Sequence, residues 1–138
     1  MSSASAGILY ARFALGAAFL SAVASRFGFW DGNLSWEKFA AFTGYTAEVN
    51  SFMPALTIPF LAWAATIAEL CLGFGLILGV RLRWVAFGSA ALLALFGTAM
   101  AISFGLKSPL DYSVFSASAG ALLLARSATQ NSNAKENT

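Results

Sequence analysis

From Thr57 to Gly79 the chain is apolar except for one ionisable residue, Glu69, near the middle of the run. About 20 apolar residues, rising roughly 1.5 Å each, cross a hydrocarbon core of about 30 Å, so this run can span a bilayer as one helix. An ionised carboxylate at that depth costs on the order of 2.5–3.5 kcal/mol on insertion scales, and simulations of charged side chains give more. Something must offset that cost. The residues that face Glu69 are therefore the first candidates for function.

The rest of the sequence fits a membrane setting. Of 138 residues, 59% are hydrophobic and 10% are charged, against about 25% charged in a soluble domain. The length suits one domain. The net charge of +2 comes from scattered basic residues, several at the ends of apolar runs where they anchor helices, and nothing in it points to nucleic acid. There is no histidine and one cysteine, Cys71. Bis-histidine haem ligation, a His/Cys zinc site within one chain and His-dependent Ser or Cys catalysis are thereby excluded. Thiol exchange within the chain needs a second cysteine. No metal site is expected, and Cys71 reads as a small buried packing residue. The N-terminus lacks a basic n-region, so no cleavable signal peptide is expected.

The fold class this predicts is all-α: an integral membrane four-helix bundle filling residues 1–130, followed by a polar, disordered tail at 131–138. The spans fall at about 7–28, 57–79, 84–104 and 109–126. Ser108, Pro109 and Asp111 read as N-cap, first helical position and acidic half of a capping box for span four. Arg81 and Arg83 in the link between spans two and three, with Arg126 and Lys135 after span four, put both termini in the cytoplasm by the positive-inside rule. The opposite loop, Phe29 to Ala55, holds Trp30 and Trp36 for the headgroup layer. Ser35 can cap a short amphipathic helix there, running through about Thr43 and ended by Gly44.

Each span offers a row of small residues for close packing: Ala14, Ala18 and Ala22; Gly75 and Gly79; Gly97, Ala101 and Gly105; Ser113, Ala117 and Ala121. The polar residues also align. Arg12, Gly16, Phe19, Val23 and Arg26 share a stripe of span one; Thr66, Glu69 and Gly73 share a face of span two; Ser113, Ser116 and Gly120 share a face of span four. Turning these faces inward sets Glu69 opposite Arg12. Glu69 would lie roughly 15 Å deep and Arg12 roughly 7 Å, each leaning away from the other. The pair must stretch, include a water or admit a third group. It reads either as a structural ion pair or as a ligand or proton site bordered by Thr66, Gly73, Ser113 and Ser116. Arg26 reads as an anchor reaching the interface, and Asp111 as a cap.

Arg12-Phe-Ala-Leu-Gly16 resembles the R-x-x-L-G opening of the DoxX family. Glu69-Leu-Cys-Leu-Gly73, followed by Arg81 and Arg83, resembles that family's E-x-x-x-G second helix with its basic exit. Arg26 stands where the family usually has a basic residue. Gly105-Leu-Lys-Ser-Pro-Leu-Asp111-Tyr-Ser113 is similar to a stretch of some members. The resemblance covers about residues 7–126. It implies a four-helix protein of the bacterial plasma membrane, with links to redox partners. The family takes its name from a thiosulfate:quinone oxidoreductase with a membrane subunit of this type. Cysteine-pair quinone reduction, as in enzymes of the vitamin K epoxide reductase type, does not transfer to a chain with one cysteine.

Three functions remain in view. The first is the membrane subunit of a larger, redox-linked assembly without a redox centre of its own. There Arg12 would hydrogen-bond a quinone carbonyl, Glu69 would pass the accompanying proton, and a partner would supply electrons. No activity of the isolated chain is expected in that case, and no catalytic residue is assigned. The second is a structural protein that docks a protein partner or a second copy through the Trp-rich loop. The third is a carrier for protons or a small solute, disfavoured by the absence of a clear internal repeat.

Overall fold

A computed structural model describes residues 2–136. Its helices are α1 (Ser3–Arg26), α2 (Trp36–Val49), α3 (Ile58–Leu78), α4 (Leu82–Phe104), α5 (Lys107–Asp111) and α6 (Val114–Glu136), with 3-10 turns at Phe29–Asp31 and Ala55–Thr57. Local chemistry sets several ends. The Ser2 hydroxyl accepts from the Ser5 amide to start α1, and the Ser35 hydroxyl accepts from the Glu37 amide to start α2. Pro59 sits in the first turn of α3, where its missing N–H has no helical partner to lose. Gly79, at φ +71°, ends α3: its own amide and that of Val80 turn back onto Leu76 and Gly75.

Helices α1, α3 and α4 are long and apolar enough to cross a membrane. The fourth member of the bundle is α6, which lies along α4. The chain is thus an all-α membrane bundle. Its closest helix pairs are α1 with α3 and α4 with α6. In the first pair the backbones nearly touch. A Cβ added at Gly73 would lie 2.9 Å from Leu20 and 3.2 Å from the Gly16 carbonyl, and one at Gly16 would lie 3.0 Å from the Gly73 carbonyl. In the second pair Gly97 makes room for the Phe115 ring, and the Ser118 hydroxyl donates to the Ala90 carbonyl at 2.7 Å. Near their link α3 and α4 also meet, Gly75 against Val85 and Leu72 against Gly88. Toward α2 they diverge around a cavity. The end with the termini and the α3–α4 link is called the terminal end below, and the other the α2 end.

Several local expectations are corrected. Helix α2 continues past Gly44 to Val49. A mid-helix glycine costs about 1 kcal/mol, and burial of Thr46 and Val49 offsets it, helped by the Ser103 hydroxyl bonding the Val49 carbonyl at 2.6 Å. The fourth long helix starts at Val114. Asp111 does not cap it, because its carboxylate pairs with Lys107 one turn back in α5, and the chain breaks at Ser113, with φ +56°. The segment from Asn131 to Glu136, expected as a disordered tail, continues α6; residues 137 and 138 lie outside the described residues. Ala14 and Ala18 are exposed, since Gly16 and Gly73 bring α1 and α3 together in place of the alanine row. Cys71 is exposed on α3, on a face that α1 and α4 do not cover.

Candidate functional site

Glu69, 4% exposed, is held by Arg26 and not by Arg12. The cause is the lean of helical side chains toward their own N-terminus. Helices α1 and α3 are antiparallel. Arg26, in the last turn of α1, therefore leans from the α2 end into the bundle, and Glu69 leans from mid-bundle toward the α2 end. The two meet in an ion pair whose side chains are 9% and 5% exposed. The guanidinium also donates to the Thr66 hydroxyl at 3.0 Å, and Thr66 donates onward to the Ala62 carbonyl at 2.8 Å. Phe42 of α2 lies against the guanidinium, its ring centre 3.9 Å away. One cation so joins α1, α2 and α3. Among the described residues no amide or hydroxyl hydrogen-bonds the buried Oε2 of Glu69, so the guanidinium is its partner.

Arg12 leans the other way and does different work. Its Nε donates to the Leu76 carbonyl at 3.0 Å and its Nη2 to the Ile77 carbonyl at 2.9 Å. These belong to the last turn of α3, where the Leu76 carbonyl also takes the Gly79 amide, the Ile77 carbonyl has no helical partner, and the helix dipole favours a cation. A Cβ on Gly79 would come within 2.8 Å of the Arg12 Cζ, so that position needs glycine for room as well as for its φ.

Beside the Arg26–Glu69 pair lies a cavity of about 660 Å³, bounded by α2, α3 and α4. Its space comes from small residues at the α2 half of α3, namely Ala64, Ala65 and Ala68. Phe96 and Ala99 of α4 face them, and Phe42, Tyr45 and Thr46 of α2 close the top. Arg26 and Glu69 form a charged wall in this mostly apolar lining. Leu95 and Ile102, 67% and 63% exposed, mark the side where the cavity meets the outer surface of the bundle. The Ser103 hydroxyl, also within 3.0 Å of the Ser51 hydroxyl, fastens the end of α2 to α4 over this space.

Of the residues singled out from sequence, Thr66 and Glu69 come together. Gly73 instead packs against α1, and Ser113 and Ser116 are exposed, at and just after the break before α6. The sequence reading missed Arg26, which is a buried partner and not an interface anchor, and it missed Phe42 and the alanine run. The lean that separates Arg12 from Glu69 also brings Arg26 to it. That signal was present in the sequence.

A family model described as DoxX matches residues 7–103. That span holds every residue that lines the cavity. No curated protein and no solved structure matches the chain.

Proposed function

This chain belongs to the DoxX family, and from that premise we propose that it is the membrane subunit of a redox-linked assembly and binds the ring of a quinone-class lipid beneath α2. One observation carries the reading: an apolar cavity of about 660 Å³ with a buried guanidinium–carboxylate pair in its wall. Pockets for small ligands typically measure about 300–1,000 Å³, apolar with a few placed polar groups. Arg26 gives one amino group to Glu69 and one to Thr66. A guanidinium has about five N–H donors, so others remain for a carbonyl oxygen. Glu69 can give a proton to that oxygen or take one from it. An isoprenoid tail would leave past Leu95 and Ile102 into lipid.

Arg26 and Glu69 are acid–base groups and do not carry electrons, so a protein partner supplies them. We place the protein in a bacterial plasma membrane with cytoplasmic termini, because Arg81, Arg83 and Arg126 gather at the terminal end. The cavity then lies in the outer half of the bilayer. Photolabelling with an azido-quinone in membranes tests the reading. Label should concentrate in peptides of α2, α3 and α4, and the cavity-filling change Ala68→Phe should remove most of it. Label spread evenly over the chain, or undiminished in Ala68→Phe, would contradict the proposal and leave a structural role for the pair, as the joint between three helices.

A further inference from the structure

Away from this cavity, at the terminal end, α4 and α6 leave a groove of about 290 Å³. Arg83, Trp84 and Phe87 line it from the first turns of α4, and Leu122, Arg126 and Thr129 from one face of α6. We infer that this groove binds the phosphate of an anionic phospholipid, with the start of an acyl chain against its apolar wall. Two guanidiniums face one groove. Among the described residues neither is in an ion pair. Of the acidic residues, Asp31, Glu37, Glu48 and Asp111 belong to the α2 end and Glu69 to the middle. The Arg83 guanidinium lies 5.1 Å from the centre of the Trp84 ring, which holds it at the rim by a cation–π contact.

The polarity runs in the order a phospholipid needs. Trp84, 65% exposed, is the residue type that sits at headgroup depth. About a turn deeper, Phe87 and Leu122 are 55% and 44% exposed and present apolar surface to an acyl chain, over a floor of buried Ala125. A free phosphate would use the arginines and leave that wall to other lipids. A phospholipid uses both, and basic pockets between membrane helices commonly hold anionic headgroups. Guanidinium also matches phosphate oxygens in pairs.

Native mass spectrometry of the purified protein, offered equal phosphatidylglycerol and phosphatidylcholine, tests this. The wild type should retain one phosphatidylglycerol, preferred about tenfold over phosphatidylcholine. The Arg83→Gln/Arg126→Gln variant should lose the preference, and Arg81→Gln, outside the groove, should keep it. If the double variant unfolds on extraction, Arg126→Gln alone should weaken the preference, and no change there would overturn the site. Equal retention of the two lipids by wild type would overturn it. So would an equal loss in Arg81→Gln, which would mean a general surface-charge effect. Inorganic phosphate alone, binding with the same dependence on Arg83 and Arg126, would assign the groove to free phosphate and overturn the lipid.

Discussion

Replacing Arg26 by Met should destabilise the bundle more than replacing Arg26 and Glu69 by Met together. The side chains of the pair are 9% and 5% exposed, so solvent screens them little. Breaking a buried pair by removing one partner costs about 3–5 kcal/mol, because the other charge stays buried. Loss of the hydrogen bond to Thr66 and the ring contact with Phe42 adds about 1–3 kcal/mol. The double variant loses those contacts but leaves no orphan charge. The expected coupling between positions 26 and 69, the two single costs less that of the double variant, is therefore at least about 3 kcal/mol, against an average of about 0.6 kcal/mol for hydrogen bonds inside a membrane bundle. Reversible unfolding by sodium dodecyl sulfate in mixed micelles measures it as a double-mutant cycle. Arg12 is the internal control. It binds carbonyls of residues 76 and 77, about 10 Å along α3 from Glu69 at 1.5 Å per residue. Arg12→Met should destabilise by itself yet couple to Glu69→Met by less than about 0.5 kcal/mol. A coupling below about 0.5 kcal/mol for the Arg26 cycle, or one as large for Arg12, would refute the pairing.

Gly73→Leu should cost more than about 1–3 kcal/mol, the usual cost of overpacking, because Leu20 and the Gly16 carbonyl already crowd that point; a melting temperature equal to wild type would contradict the α1–α3 contact. Ala65→Leu points toward open space and should leave melting in detergent within a few degrees of wild type while displacing bound quinone; a large stability loss would mean that the space is not there. Burial, and secondarily Tyr112 and Glu48, push the Tyr45 phenol above its usual value of about 10. The folded chain keeps that proton while the unfolded chain releases it, so stability should fall as pH rises above about 10. A difference absorbance titration of wild type against Tyr45→Phe reads this, and a phenolate midpoint at or below 10 would count against the packing of α2.

The bundle was legible because apolar run length is a strong signal: spans one to three match α1, α3 and α4 within a few residues. Span four was legible as a helix but in neither its start nor its end. The Ser108–Asp111 pattern fits a cap by type and spacing, but the Lys107–Asp111 pair at i, i+4 competes for the same carboxylate. At the site, Glu69 was legible from its cost alone. Its partner was misassigned because Arg12 and Arg26 lie on the same stripe, and stripe membership does not give depth. Direction does: on antiparallel neighbours, side chains from the two α2-end halves converge, and Arg26 is there. The cavity was not legible. It depends on α3 and α4 parting above Gly75 and Gly88, with α2 laid over the gap, and no residue pattern within one helix reports the angle between two.

Quinone binding beneath α2 is tested by the quinone content of the protein itself. Protein extracted in lipid nanodiscs from its native membrane, without detergent exchange, can be assayed by liquid chromatography and mass spectrometry of its organic extract. About one quinone per chain is expected in the wild type, with a loss to the level of the surrounding lipid in both Ala68→Phe and Arg26→Gln. Wild-type quinone no higher than in the bulk membrane, or unchanged in both variants, would contradict it.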